Sequence, residues 1–200
     1  MPIFSKQNKI ILFIHIPKCG GSSISRIFQQ NNWDVSFSLQ GKNISEIQYL
    51  KSSPQHYHGE IIKNIFNISK FNKTFTIVRN PFNRLKSEYY WQLNNKISTN
   101  ITPEDWLNNV IEKYSQNKYI FDNHIRPQNE FILEQVNIFK LEEGLKKVYE
   151  YIFDQRFFIF KEPKLKKSEY NHLIDEQFLK IKSKIEDFYA DDYEFLKYKI

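Results

Sequence analysis

The chain has 200 residues, of which 40% are hydrophobic and 16% aromatic, and its formal net charge is +6. This length predicts one domain spanning residues 1–200, and the apolar and aromatic content favours a folded globule over a disordered chain. The positive charge favours an anionic ligand or partner without identifying it.

The cysteine count and the first apolar run indicate the compartment. The single cysteine, Cys19, excludes an internal disulfide. The apolar run ends after about six residues, which is too short for a signal-peptide core or a membrane span. We therefore expect a cytoplasmic protein with no stable membrane insertion and no nucleic-acid partner.

The first predicted element is a buried strand at residues 10–16 that leads into a glycine-containing turn. Glycines let backbone N–H groups approach an anion closely, and a helix N-terminus adds unpaired N–H donors. The stretch therefore predicts a binding turn for a phosphate or a chemical relative. Its residues are Lys18, Cys19, Gly20, Gly21, Ser22 and Ser23.

Shorter elements follow the turn. We predict a helix at about residues 21–30, a strand within 33–39, and a short helix capped by Ser45 that runs to about Leu50. A polar, ionisable segment at 55–60 then precedes the apolar residues 61–68.

A second strand-to-helix junction begins at residue 73. Residues 73–78 read as a strand, and Asn80 and Pro81 are typical of the N-cap and the first residue of a helix. Two such junctions in alternation predict an α/β fold with a central parallel sheet flanked by helices. Ligands of such folds bind at the carboxyl ends of the strands.

The remaining elements follow in order. We predict a helix capped by Thr102 that runs to about Tyr114, a strand at 136–141, a helix at 142–153, a basic loop at 161–167 and a closing helix at 173–189. Two nucleotide motifs are absent. Lys18 precedes its glycines, unlike the lysine of a standard P-loop, and Gly20-Gly21 lacks the spaced glycine of a dinucleotide site.

Residues 15–24 resemble the His-Ile-Pro-Lys-Thr-Gly-Gly-Thr-Ser-hydrophobic motif of carbohydrate sulfotransferases of the heparan sulfate 2-O-sulfotransferase type. Residues 79–89 are similar to the second signature of that family, Arg-Asp-Pro-x-x-Arg-x-x-Ser-x-Tyr. The resemblance implies a P-loop-like sulfotransferase fold and the donor 3′-phosphoadenosine 5′-phosphosulfate (PAPS). The first motif would hold the 5′-phosphosulfate, whereas Arg79 and Ser87 would bind the 3′-phosphate.

Four other segments resemble the family more weakly. Residues 57–60 are similar to its Tyr-His-Gly-His stretch, which carries the catalytic base, and residues 123–128 to its His-x-Arg-Pro-Gln segment. Lys166 and Ser168 belong to a loop similar to one that closes over the nucleotide. Residues 189–198 resemble the common C-terminal ending.

The chain departs from the family pattern at four positions. Cys19 and Ser22 each replace a Thr, Asn80 replaces an Asp and keeps the capping role, and Glu60 stands where the second His would be.

The resemblance and the reaction together assign roles. Lys18 and the turn N–H groups would stabilise the charge that grows on the leaving phosphate. His58 suits the role of proton acceptor, and Glu60 is either the rival base or the group that orients His58. The donor-binding residues would be Lys18, Cys19, Gly20, Gly21, Ser22, Ser23, Arg79, Ser87, Lys166 and Ser168. No metal is required.

Several residues also have structural interpretations. We expect Arg84 to form a structural ion pair and His15 to be a hydrogen-bonded core residue. Cys19 is expected to be a packing residue, although its position near a helix N-terminus could make the thiol reactive. His172 is assigned to the surface, and His124 is the outside candidate for acceptor binding.

The sequence favours a sulfotransferase that acts on a carbohydrate or glycolipid hydroxyl, and it leaves the oligomeric state open. Two alternatives remain at this point: a small nucleotide-dependent kinase, and a non-catalytic binder of anionic glycans that keeps the fold.

Overall fold

A five-stranded sheet forms the centre of the computed structural model, which describes residues 1–39, 49–156 and 171–199. The strands are β1 (Ile3–Lys6), β2 (Lys9–Ile14), β3 (Asp34–Ser36), β4 (Lys73–Val78) and β5 (Asn137–Lys140). Their spatial order is β3-β1-β2-β4-β5. Because β2, β4 and β5 run parallel, this half of the sheet confirms the prediction, while β1 pairs antiparallel with both β2 and β3.

Helices cover the sheet within the described residues. They are α1 (Gly21–Gln30), α2 (Gly59–Ile65), α3 (Pro81–Asn94), α4 (Pro103–Gln116), the one-turn α5 (Ile120–Asn123), α6 (Lys146–Phe153), α7 (His172–Lys180), α8 (Lys182–Phe188) and α9 (Ala190–Leu196). The predicted bounds of α1 and β4 are confirmed. Asn80 and Thr102 cap α3 and α4 as predicted, each side chain accepting a backbone N–H from three residues on.

The structure differs from the predicted elements in three places. β1 was missed because it is only four residues long and because its tight turn to β2 places Gln7 at φ 53°, a conformation that usually signals glycine. The helix predicted at 142–153 is interrupted at Gly144, whose φ is 77°. The closing helix at 173–189 is divided at Ile181, and a further helix begins after Tyr189.

Other predictions fall on residues that the structure does not describe. The short helix capped by Ser45 and the basic loop at 161–167 lie outside the described residues.

Two groups of buried side chains make up the core. The first fills the space around the sheet and includes Phe13 and Phe75, which stack at 4.9 Å between ring centroids, together with Phe28 of α1. The second joins α3 and α4 to the C-terminal helices and contains the fully buried pair Trp106 and Phe178. Helix α3, which follows β4, therefore packs into the second group through Phe82, Leu85 and Tyr89.

In the part of the chain that the structure describes, every helix falls short of the length and apolar content needed to cross a bilayer.

Candidate active site

The loop that joins β2 to α1 has a backbone shape that few sequences can adopt. Lys18 has φ 67° and Gly20 has φ 85°, so two residues of the loop occupy the left-handed region. Glycine adopts this conformation without a steric cost, whereas a lysine there is strained. Such strain is common where a loop positions a functional group.

The second glycine of the loop is required by a close contact. A Cβ atom at Gly21 would lie 1.9 Å from Nε2 of His15, so any larger residue would displace the imidazole. Gly20 is less crowded, since its Cβ would meet Cδ1 of Leu141 at 3.0 Å. The glycine pair therefore allows the loop and the His15 ring to pack together.

The first turn of α1 contains an unsatisfied polar group. Helix α1 begins at Gly21 with neither a side-chain cap nor an acidic residue in its first turn. The Oγ atom of Ser23 is buried and has no hydrogen-bond partner among the described residues, while Ser22 is exposed. Buried hydroxyls are nearly always paired, so Ser23 marks a place where a ligand atom could be accepted.

Lys18 lies in a largely dry environment. Its Nζ atom is 5.1 Å from the centroid of the Trp91 ring. Burial lowers the pKa of Lys18 to about 8; Glu88 opposes this shift, and the positive charge of Arg79 adds to it. The lysine therefore titrates near neutral pH, and a nearby anion would stabilise its charged form.

Arg79 connects the second junction to the first. Its Nη1 atom donates a hydrogen bond to the main-chain oxygen of Lys18 at 3.3 Å. Its own main chain is held from both sides by Gln128: the N–H of Arg79 donates to Oε1 at 2.9 Å, and Nε2 donates to the carbonyl oxygen of Arg79 at 2.8 Å. The two junctions thus meet at one edge of the sheet, at the carboxyl ends of β2 and β4.

Gln128 is itself anchored by a buried carboxylate that the sequence analysis did not single out. Asp192 accepts the main-chain N–H groups of Gln128 and Asn129, each at 2.8 Å. Burial raises the pKa of Asp192, although Arg84 and these hydrogen bonds favour the ionised form. The family resemblance at 123–128 and at the C-terminus was the only sequence signal for this connection.

Arg84 is structural, as expected, but its hydrogen bonds go to carbonyl groups rather than to a carboxylate. The guanidinium is 1% exposed, and it donates from Nε to the Pro17 oxygen at 3.1 Å and from Nη2 to the His124 oxygen at 2.9 Å. Arg84 therefore ties the first loop to the loop that contains His124.

The thiol of Cys19 is buried and unreactive. Its Sγ atom is 3.4 Å from Oε1 of Gln128, and the residue is 1% exposed. Burial raises the pKa of the thiol to about 12 despite the opposing charges of Arg84 and Arg79. The packing interpretation is confirmed and the reactive-thiol interpretation is wrong, because only the thiolate is a nucleophile.

Three imidazoles pack one against the next beside the loop, and we call them the histidine row: His15, His56 and His124. The ring centroids of His15 and His56 are 4.9 Å apart, and those of His56 and His124 are 5.0 Å apart. His15 belongs to the family-like motif at residues 15–24, but no sequence pattern predicted that it would lie beside His56 and His124.

His56 is fixed in the row by Asp122. Oδ2 of Asp122 lies 2.8 Å from Nδ1 of His56 and accepts the Ser53 hydroxyl at 2.6 Å, while Oδ1 accepts the Ser53 N–H at 2.6 Å. Asp122 has φ 55°, so a left-handed backbone aims this carboxylate. Burial lowers the pKa of His56 to about 4 even though Asp122 favours its charged form.

His124 is fixed by Glu88 of α3. Nδ1 of His124 is 2.7 Å from Oε2 of Glu88, and Oε1 of this fully buried carboxylate accepts a hydrogen bond from Nε2 of Gln92 at 2.8 Å. Burial alone would raise the pKa of Glu88, but His124, Lys18 and the hydrogen bonds together hold it below its usual value. Glu88 is therefore an ionised, hydrogen-bonded carboxylate.

His58 and Glu60, the predicted bases, lie on α2. His58 is the N-cap residue of that helix; its Nε2 is 3.8 Å from Oε2 of Glu60, and its Nδ1 is buried without a partner among the described residues. Burial and Arg126 lower the pKa of His58, and Glu130 and Glu60 oppose them.

The surroundings of His58 differ from those of Lys18. The aromatic ring beside His58 is Tyr119, at 5.7 Å between ring centroids, and the charged groups with the largest effect on it are Arg126, Glu130 and Glu60. The side chain of Glu60 is 82% exposed. The structure thus brings Lys18 and Arg79 together, and among the described residues no hydrogen bond or ion pair joins either of them to His58 or Glu60.

The remaining predicted residues have simple placements. Ser87 is half-buried on α3, and no hydrogen bond joins it to Arg79 in the described part of the protein. His172 is exposed at the surface, as expected. Lys166 and Ser168 lie outside the described residues, so their role stays a prediction.

Comparison with known proteins gives one match. A family model described as the sulfotransferase family matches residues 1–199. No curated protein and no solved structure matches the chain.

Proposed function

The chain belongs to the sulfotransferase family, and we propose that it transfers a sulfuryl group from PAPS to a hydroxyl group of a carbohydrate or glycolipid acceptor. The observation that carries this proposal is the meeting of the two strand-to-helix junctions. Arg79 of the second junction is hydrogen-bonded to the main chain of Lys18 in the first. One nucleotide with phosphates at both ends could therefore contact both.

The loop at Lys18 fits the phosphosulfate end of the donor. Ser23 offers a buried hydroxyl that has no partner among the described residues, and the first turn of α1 has no side-chain cap. Helix N-termini with unpaired N–H groups bind phosphate and related anions. In this proposal the main chain of Cys19 rather than its thiol faces the anion, together with Gly20 and Ser22.

Lys18 supplies the charge at the reacting end. Negative charge grows on the bridging oxygen of the leaving phosphate during transfer, and a preorganised ammonium stabilises it. Because burial lowers the pKa of Lys18 to about 8, its charge is poorly solvated in the protein alone. An anion beside Nζ would therefore gain more from the pair than it would at an exposed lysine.

Arg79 and Ser87 are the proposed ligands of the 3′-phosphate. Two hydrogen bonds with Gln128 fix the main chain of Arg79 and so fix the point from which the Arg79 side chain extends. Guanidinium groups bind phosphate through paired, charge-assisted hydrogen bonds. Lys166 and Ser168 complete the donor site in this proposal.

The donor site is tested by calorimetric titration with adenosine 3′,5′-bisphosphate, the nucleotide product. Lys18→Ala and Arg79→Ala are each expected to weaken binding roughly 10- to 100-fold, because each removes a charge-assisted contact. The matched controls are Lys63→Ala and Arg26→Ala, whose side chains are exposed elsewhere on the molecule. Unchanged affinity in both site variants would contradict the proposal.

The same measurements separate the alternatives. A small kinase would prefer ATP with Mg²⁺ over the bisphosphate in a thermal-shift assay. A non-catalytic glycan binder would bind its ligand without releasing or transferring labelled sulfate from PAPS.

The resemblance assigns the proton acceptor to His58 or Glu60. A His58→Ala, Glu60→Ala double variant that binds the bisphosphate normally but no longer transfers sulfate would support that assignment. Retained transfer would exclude both residues.

A further inference from the structure

His124 is an imidazole of the histidine row that shares neighbours with Lys18. Its ring centroid is 5.2 Å from that of Trp91, the ring that lies 5.1 Å from Nζ of Lys18. Its hydrogen-bond partner, Glu88, is one of the charges that act on Lys18. One imidazole therefore shares both an aromatic neighbour and a carboxylate with the lysine.

The two nitrogens of His124 have different environments. Nδ1 is hydrogen-bonded to Oε2 of Glu88 at 2.7 Å, and no hydrogen bond to Nε2 is found within the described residues. The side chain is 11% exposed, so the ring is not sealed from solvent. Because an ionised carboxylate can only accept, Nδ1 donates the hydrogen bond to Glu88, and in the neutral form of the ring Nε2 then holds the lone pair.

The other two members of the row are less suited to accept a proton. His56 has a pKa of about 4, lowered by burial, and its Nδ1 is occupied by Asp122. The pKa of His15 is lowered well below its usual value by burial, and its ring is packed against Gly21. A general base at neutral pH works best when its pKa is near the operating pH.

We propose that His124, rather than His58 or Glu60, is the general base of the sulfuryl transfer and that Glu88 is the positioning residue that holds it; this inference rests on the proposed function. The acceptor oxygen forms a bond to sulfur while the bond between sulfur and the phosphate oxygen breaks. The acceptor proton moves to Nε2 of His124, and the electron pair of the broken bond stays on the phosphate beside Lys18. Glu88 stabilises the imidazolium that results.

The first test separates binding from catalysis in His124→Gln. This variant is expected to bind adenosine 3′,5′-bisphosphate within about twofold of the wild type and to lose transfer roughly 10²- to 10⁴-fold in kcat. His172→Gln is the matched control, since His172 has an 86% exposed side chain and is expected to keep full activity. If His124→Gln keeps transfer within twofold, the inference is overturned.

The second test reads the tautomer directly and does not depend on activity. Nitrogen NMR of the wild-type protein with labelled histidine is expected to show the proton of His124 on Nδ1. In Glu88→Gln, an amide replaces the carboxylate, and both tautomers are expected. A wild-type proton on Nε2 would overturn the inference even if His124→Gln failed to fold.

Glu88→Gln also has an expected kinetic signature. The carboxylate fixes the proton of His124 on Nδ1, so its replacement should lower kcat on the order of 10²-fold while KM for the acceptor changes little. The other charged or titratable groups facing His124 are His56, whose ring centroid lies 5.0 Å away, Arg84, which donates to the main-chain oxygen of His124, and Lys18, which also lies against Trp91. An unchanged kcat, or a loss that appears only in KM, would contradict the inference.

Failure of the inference differs from failure of the proposed function. A wild-type protein that neither binds the bisphosphate nor transfers sulfate would overturn the function. A wild-type protein that does both, with His124→Gln equally active, would overturn only the assignment of the base.

Discussion

At the scale of single residues, burial decides which side chains of the site are chemically competent. Lys18 and Cys19 are neighbours in one loop, yet burial lowers the pKa of the lysine to about 8 and raises that of the thiol to about 12. Both shifts disfavour the charged form. The pKa of the lysine is close enough to neutral pH for a bound anion to keep the side chain charged. The pKa of the thiol is too far above neutral pH for the thiolate to form.

The titration of Lys18 predicts a pH dependence of nucleotide affinity. An anion binds the charged form, so affinity should fall as pH rises through about 8, by about tenfold between pH 7 and pH 9. Calorimetry with adenosine 3′,5′-bisphosphate measures this, since the phosphates of the ligand are fully ionised over most of that range. In Lys18→Arg the charge persists at every pH, and the decline should disappear. An equal decline in that variant would show that another group is responsible.

At the scale of elements, the loops of the site are held by helices far away in sequence. Asp192 of α9 accepts two main-chain N–H groups of the 128–129 turn, and Gln128 in turn holds the main chain of Arg79. The C-terminal helix is therefore part of the support for the donor site.

Replacing Asp192 tests this support. Asp192→Asn removes one of two accepting oxygens inside the protein, so a main-chain N–H is left without a partner, and we expect the free energy of unfolding to fall by about 1–3 kcal/mol. Urea denaturation measures the loss. Asp191→Asn, at the exposed neighbouring position, is the control and should change stability by less than about 0.5 kcal/mol. Equal effects of the two variants would show that the buried carboxylate does not hold the turn.

Local signals explain which elements were predictable. The β-branched run at 73–78, followed by Asn80 and Pro81, places β4 and the start of α3 without any knowledge of the rest of the chain. β1 and the break at Gly144 were missed because a four-residue strand and a single glycine carry weak local signals.

The candidate site was only partly predictable for a different reason. The meeting of Lys18 with Arg79 followed from two strand-to-helix junctions in a parallel sheet. The pairs Glu88 with His124 and Asp122 with His56 join residues 36 and 66 positions apart, and no local pattern indicates them. Long-range polar contacts of this kind depend on the packed fold.

At the scale of the whole molecule, buried imidazoles couple stability to pH. The folded protein holds His56 neutral, with a pKa of about 4, while the unfolded chain binds a proton near pH 6.5. Stability from this group is therefore complete above about pH 6.5 and is lost as pH falls towards 4. His15 is buried with a lowered pKa and adds to the same trend.

Unfolding experiments at pH 7 and pH 5 test this coupling. The free energy of unfolding of the wild type is expected to fall by about 2 kcal/mol from pH 7 to pH 5, because His56 binds a proton in the unfolded state but not in the folded state. His56→Asn should be less stable at pH 7, because its bond to Asp122 is lost, but should show a shallower dependence on pH. A dependence as steep as that of the wild type would rule out His56 as a source.

The most direct test of the account is a crystal structure with adenosine 3′,5′-bisphosphate bound. We expect the 5′-phosphate on the turn at Lys18, Gly20 and Gly21, the 3′-phosphate on Arg79, and Nε2 of His124 facing the open side of the 5′-phosphate. A bisphosphate bound away from the junction of β2 and β4, or placed with its 5′-phosphate on Arg79, would contradict the account.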